Sequence, residues 1–260
     1  MKATPYFDGA VLSRPLDDVS ANLGLLRVRS AVWFGTVFIN PSGDAEPFEG
    51  FIRPLAQRWD GYDLSLLRLA DATTFKVLSN WKLVLENFLD LAHVPWVHGQ
   101  LRGPGDKHSN EPTVLNDDIF GYLLPLPPGD RFKGAPPLPR FPAVPERFKS
   151  GLDLIMVFPN TCIILTPIWA QVIIVHPDNP LESSEVLAAY VVGDSLLQQN
   201  ADADRKQFVN FLQEVNNQDV TILSLQQNGR QGSATDAGRF APHWDGFLYR
   251  FSQRVAKAYG

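Results

Sequence analysis

Leu154 to Val175 (LIMVFPNTCIILTPIWAQVIIV) runs for 22 residues without a charged side chain. A stretch that apolar must be buried, in a bilayer or in a protein core. Its length would span the hydrocarbon layer as a helix. Its interior argues against that. Pro159-Asn160 and Pro167 would break the helix, Thr161 and Gln171 would carry polar groups into lipid, and Ile and Val dominate the rest. Pro-Asn is a turn signal and β-branched residues favour strands. The stretch therefore reads as buried β-strands joined by a tight turn.

The flanking sequence extends that reading. Leu25–Arg29 and Val32–Asn40, interrupted by Gly35, read as strands, and Pro41-Ser42-Gly43-Asp44 as a turn. Further strands are predicted at Thr73–Leu78, 151–159, 161–168, 170–176 and 185–192, with Asp178-Asn179-Pro180 as the last turn. Glu46–Trp59 is helical or irregular. Asn80–Ala92 is a helix with apolar residues on more than one face, so mostly buried. Asp194–Gln227 is a long helix, with Leu196, Leu197, Phe208, Leu212 and Val215 at helical spacing, and a last helix covers about 242–258. Residues 99–146 hold three Gly/Pro clusters and read as a long loop, which in a compact domain is usually functional. Strands in hairpin-like succession before a long helix give an α+β fold with an antiparallel sheet.

Composition narrows the function. At 260 residues the chain is one large domain or two small ones. Its 28 acidic against 23 basic residues lack the basic excess of a nucleic-acid binder. Cys162 is the single cysteine, which excludes a disulfide framework and any Cys-rich zinc or iron–sulfur site ligated by this chain. Met1-Lys2-Ala3-Thr4-Pro5 opens no secretory signal. With the apolar stretch read as strands, the expectation is a cytoplasmic protein with neither a membrane nor a nucleic acid as partner.

Chemistry concentrates in Asn80–His98, NWKLVLENFLDLAHVPWVH. Asp90 and His93 are three apart, hence on one helix face. His98 is five beyond His93, a poor spacing for a straight helix, but Pro95 allows the chain to turn and bring it back. Two imidazoles on a buried apolar element suit a borderline divalent metal. Asp90 could orient His93 by accepting its second ring N–H. Two buried histidines can also simply hydrogen-bond to backbone, and the spacing alone does not choose.

This run resembles the mononuclear-iron motif of the catalytic domain of Rieske non-haem iron oxygenase alpha subunits. The pattern N-W-K-x3-E-N-x2-(D/E)-x2-H-x4-H is matched at every marked position, from Asn80-Trp81-Lys82 through Glu86-Asn87 and Asp90 to His93 and His98. The resemblance implies a third ligand on a later helix, and Asn216-Asn217-Gln218-Asp219-Val220 looks like that segment. Asp219 lies 121 residues beyond His98. His93, His98 and Asp219 would then form a two-His-one-carboxylate triad for Fe(II), leaving open positions for O₂ and water.

The resemblance implies a helix-grip (START-like) domain, an antiparallel sheet around a long helix. Residues 1–45 would hold the strands by which the chain re-enters this domain, and 46–260 the mononuclear-iron catalytic domain. Asn87 and Asp90 are the further catalytic candidates. Asp90 would also be the acid that bridges towards a neighbouring subunit's Rieske centre. Phe88 beside Asn87, and Phe211, Leu212 and Val215 at helical spacing from Asp219, are candidates to touch the organic substrate. His108 reads as solvated, His176 as structural, His243 as ambiguous, and Trp33, Trp59, Trp81 and Trp169 as core or interface. The implied reaction is O₂-dependent hydroxylation, dihydroxylation or oxidative demethylation of an apolar, aromatic small molecule. A Rieske or ferredoxin-type electron donor and a homotrimer are the implied partners. The cysteines and histidines that hold the family's [2Fe–2S] cluster have no counterpart here, so the chain reads as the catalytic domain alone. The alternative is a non-catalytic helix-grip ligand-binding domain or an inactive truncated fragment.

Overall fold

The structure, a computed structural model, describes residues 25–101, 110–126, 132–194, 201–232 and 238–260. The chain forms two compact units, Met1–Arg53 and Pro54–Gly260.

In the first unit, β1 (Arg29–Trp33) and β2 (Thr36–Asn40) form an antiparallel hairpin. Gly35 does not interrupt a strand. Phe34 and Gly35 are the turn itself, with φ of 50° and 68°. Two successive positive φ values make the tight turn whose twist matches a hairpin. Phe-Gly is not one of its usual pairs, which is why the sequence hid it. Helix α1 (Phe48–Arg58) carries the chain from one unit into the next.

The second unit is built on one seven-stranded antiparallel sheet. Its strands are β3 (Leu67–Val77), β4 (Glu111–Val114), β5 (Ile119–Pro125), β6 (Gly151–Val157), β7 (Thr161–Leu165), β8 (Trp169–Asn179) and β9 (Glu182–Val192), in spatial order β3-β9-β8-β7-β6-β5-β4. The uncharged run spreads over β6, β7 and β8. Every residue of β6 is buried, and strands covered on both faces read as continuous apolar runs rather than alternating ones. Among the described residues no helix is long and apolar enough to cross a membrane.

One sheet face is covered by helices α2 (Trp81–Leu89), α4 (Asp202–Arg230) and α5 (Gly246–Tyr259). Phe208 of α4 meets Trp169 with ring centroids 6.0 Å apart. Gln213 Nε2 donates to Thr73 Oγ1 over 2.7 Å, tying α4 to β3. Phe247 of α5 packs on Phe120 and Tyr122. On the opposite face, Asp153 accepts two bonds from Arg58 and one from Trp59 Nε1. This is the expected α+β arrangement, an antiparallel sheet gripping a long helix.

Some boundaries differ. The 99–146 region is not one loop, because β4 and β5 form a hairpin inside it. Pro112 and Gly121 argue against strands in the sequence, yet each has a reason here. Pro112 lies on the edge strand, where a missing N–H is tolerated. A Cβ on Gly121 would stand 2.0 Å from the Leu154 carbonyl oxygen, so only glycine lets β5 lie against β6. Residues 102–109 and 127–131, with His108, lie outside the described residues. The long helix starts at Asp202, not Asp194, and Leu196 and Leu197 also lie outside the described residues. Asp178 and Asn179 belong to β8, so the hairpin turns at Pro180-Leu181. Asn80 caps α2, its side-chain oxygen accepting from Lys82 N over 3.0 Å. The helix stops at Leu89 rather than Ala92.

Candidate metal centre

The early stop of α2 shapes the site. Asp90 takes an extended backbone (φ −86°, ψ 109°) just past the helix. A one-turn helix, α3 (Val94–Val97), follows, with His93 at its N-cap, His98 at its C-cap and Pro95 in its first turn. Proline suits a first turn, whose N–H groups have no helical acceptor. That single turn converts the awkward five-residue spacing into proximity, with the imidazole centroids 5.2 Å apart. Asp219, from the middle of α4, faces both rings.

His98 Nε2 lies 3.0 Å and His93 Nε2 3.4 Å from Asp219 Oδ1. One ligand atom from each of the three residues falls within 4.8 Å of the others. Donors about 2.1 Å from an ion and roughly at right angles sit about 3 Å apart. Neither contact has the geometry of a well-formed hydrogen bond. Asp219 Oδ1 is buried and has no hydrogen-bond partner among the described residues. His98 Nδ1 is 2.8 Å from Gln218 Oε1, which also accepts from Gln100 Nε2 over 3.2 Å. An oxygen can only accept, so His98 carries its proton on Nδ1 and leaves the Nε2 lone pair towards Asp219. Once both rings are neutral, three lone pairs converge on one point, which is what a divalent cation requires.

Charge agrees with geometry. Burial pushes the His93 imidazole down, but Asp219 and Asp90 beside it prevail and raise its pKa to about 9. Burial pushes Asp219 up, and the two imidazoles prevail to lower it to about 2. Glu185 of β9 is almost fully buried and pushed up to about 8, with Asp219 adding and Asn216 opposing. Burial thus favours the neutral acid at Glu185.

A proton on His93 must leave before a metal can take its Nε2. At pH 7, below the raised pKa, divalent metal binding should release about one proton, and apparent affinity should rise roughly tenfold per pH unit until about pH 9, then flatten. Titration calorimetry in buffers of different ionisation enthalpy measures this. No proton release at pH 7 would contradict it.

Asp90 needs a correction. It is not on a helical face shared with His93, because the helix has ended. Its Oδ2 is 3.6 Å from His93 Nδ1, too long for a hydrogen bond. His93 Nδ1 has no hydrogen-bond partner among the described residues, while Asp90 Oδ1 accepts from Ala92 N over 2.7 Å. Burial raises the Asp90 pKa, and His93 and the Ala92 N–H outweigh it, so the carboxylate is held ionised beside the ring.

A cavity of about 230 Å³ opens beside the cluster, and Asn87, Phe88, Phe211, Leu212 and Val215 all line it. Trp169, read as core, is buried and also lines it. Sequence reasoning missed the sheet side, where Leu152, Leu154, Ile164 and Gln171 form the wall. It also missed the hold of Gln218 on His98. With β6 buried on both faces and β7 and β8 nearly so, the sequence offered no signal for the former. His176 and His243 are exposed and stand apart from the cluster.

The ring hydroxylating alpha subunit (catalytic domain) family matches residues 64–260. The chain belongs to that family. Its members hold a mononuclear non-haem iron at the catalytic site, the kind of ion to which this donor set is suited. Solved structures share the fold at low identity. The quaternary ammonium Rieske monooxygenase CntA superposes with a TM-score of 0.67 at 18% identity over 88% of this chain and 61% of its own. Naphthalene 1,2-dioxygenase from Rhodococcus sp., bound to indole, gives 0.65 at 16%, over 88% and 65%. Dicamba monooxygenase bound to dicamba gives 0.57 at 15%, over 98% and 73%. The chain thus spans under two thirds of CntA and of the naphthalene enzyme. No curated protein matches it by sequence.

Proposed function

We propose that this chain is the catalytic part of a cytoplasmic Fe(II)- and O₂-dependent oxygenase that hydroxylates, dihydroxylates or oxidatively demethylates an apolar, aromatic small molecule. One observation carries the reading: the buried His98 and Asp219 and the partly buried His93 aim at a common point on the edge of an apolar cavity, and the carboxylate oxygen among them has no hydrogen-bond partner among the described residues.

In this reading His93, His98 and Asp219 hold the iron. Bound there, iron(II) supplies the means to bind and reduce O₂. The protein's part is positioning and exclusion. Gln218 fixes the His98 tautomer and ring plane. Phe88, Phe211, Leu212 and Val215 contact the substrate and keep water out, and Asn87 supplies a polar edge next to the ligands. Electrons come from a Rieske or ferredoxin-type centre on a partner or on another part of a longer protein, within a homotrimer. Cys162 is buried and is the single cysteine, so no [2Fe–2S] cluster is ligated by this chain.

Asp90 suits the electron entry. It sits against His93, yet its side chain keeps 28% of its surface exposed, so a partner can reach it. Asp90→Asn should leave iron binding within about tenfold, since outer residues tune ligands rather than supply them. Turnover driven by a Rieske partner should fall much further than turnover driven by peroxide, which brings oxygen and electrons together. Equal losses in the two assays would leave Asp90 as structural support and remove the electron-entry role.

A further inference from the structure

We propose that Gln171 selects the substrate, its amide recognising a neutral molecule that carries one hydroxyl or carbonyl group on an otherwise apolar skeleton. The proposal rests on the oxygenase reading only for what happens to the molecule once bound.

The sheet register isolates this side chain. Gln171 of β8 pairs with Ile164 of β7 and Ala189 of β9, and Ile164 pairs in turn with Leu154 of β6. Directly paired residues on antiparallel strands point to the same face. Two residues along each strand, the adjacent row places Leu152 and Trp169 on that face. Thr166 shares the second row, but its hydroxyl is already spent on the Trp169 carbonyl at 2.9 Å. The cavity wall formed by these rows is therefore aliphatic and aromatic around one primary amide.

That amide is not explained by the protein itself. Gln171 is 6% exposed and lines the cavity; its amide makes no hydrogen bond to any described residue and keeps its accessible surface towards the cavity. A polar group at the wall of an apolar cavity, unbonded to the protein, finds its partner in whatever fills that cavity. A primary amide both donates and accepts, so it satisfies a hydroxyl or a carbonyl equally well. It cannot neutralise a charge. Among the described lining residues there is no Lys or Arg, while Asp90 and Asp219 stand at the metal end. A substrate carboxylate would face two carboxylates, Asp90 and Asp219, with the His93 imidazole, already set between them, as the one cationic group among the described lining residues. Sites built around a buried hydrogen-bonding group reject analogues that lack the matching group far better than apolar pockets reject an extra methylene.

The test uses the full chain, iron-free so that an oxygen probe is not drawn to the metal, at pH 7, with three matched probes: 4-propylphenol, propylbenzene and 4-propylbenzoate. Dissociation constants come from ligand-observed NMR titration. The wild type should bind the phenol about tenfold more tightly than propylbenzene, the worth of one buried hydrogen bond, and the benzoate more weakly than both. Gln171→Leu should bring the phenol-to-propylbenzene ratio to about one while leaving propylbenzene bound as before. Its thermal midpoint should stay level or rise, because an unpaired buried amide has been replaced by an apolar group of similar size. Gln171→Met, closer in shape, should behave the same way and separates recognition from misfolding. An unchanged phenol preference in both variants would overturn the proposal. So would benzoate as the tightest probe, or a fall in the midpoint showing the amide to be a structural element. Because none of these readings needs iron, O₂ or electrons, the proposal can fail while the oxygenase reading stands, and the reverse.

Discussion

His98→Ala and Asp219→Ala should each fold and yet lose Fe(II) affinity by more than about 100-fold, because residues that only orient a ligand already cost about 10–100-fold. Gln218→Ala should fall in that lower range, since it frees the His98 ring without removing a donor. The grading matters more than any one value. A centre held by His93, His98 and Asp219 requires the donors to outrank Gln218. A chance cluster of buried polar groups would give small and unordered effects. Anaerobic competition against a chromophoric chelator, with circular dichroism to confirm folding, reads the ranking. Equal losses for Gln218→Ala and Asp219→Ala would mean that the donor assignment is wrong.

The second large effect is on stability, on the sheet face away from the centre. Asp153 is fully buried, with Arg58 Nε 2.6 Å from Oδ2, Arg58 Nη2 2.8 Å from Oδ1 and Trp59 Nε1 2.7 Å from Oδ2. Asp153→Ala strands a guanidinium that is 11% exposed and takes the acceptor from the indole. Breaking one side of a buried pair costs about 3–5 kcal/mol. Replacing both partners is different, because it also removes the desolvation cost. Asp153→Leu combined with Arg58→Met should recover most of the loss. Urea unfolding measures both. A single-variant loss under about 1 kcal/mol would show that the pair is not held as tightly as the distances imply.

The parts of this fold that were legible in the sequence share a physical cause. Strands β6 to β8 stood out because burial on both faces leaves no polar alternation to confuse the reading. His93 and His98 stood out because the motif they share with the family spans nineteen consecutive positions, Asn80 to His98, and Asp219 because the same resemblance implies a third proposed ligand on a later helix. What was hidden depended on long-range pairing. Pro112 and Gly121 look like breakers until the edge position of β4 and the close approach of Leu154 are known. Gln218 acquires its role only when α4 meets His98, 120 residues away in sequence. The sheet wall needs the register of β6, β7 and β8, which turns at Asn160 and Pro167 decide. The Asp90–His93 relation was misjudged because helical spacing was extended past Leu89, where the helix stops. Even so, the two side chains come near each other by a different backbone route.

The central claim is that this chain holds one mononuclear ferrous centre able to meet O₂. Anaerobic loading with Fe(II), removal of excess metal, and assay of iron, acid-labile sulfide and the electron paramagnetic resonance of the nitric oxide adduct test it most directly. The account predicts about one iron per chain, no labile sulfide, and a nitrosyl adduct of high-spin ferrous iron, all lost when His93 and His98 are both changed to Ala. Iron retained unchanged in that double variant, or a wild-type chain that keeps no iron, would contradict it.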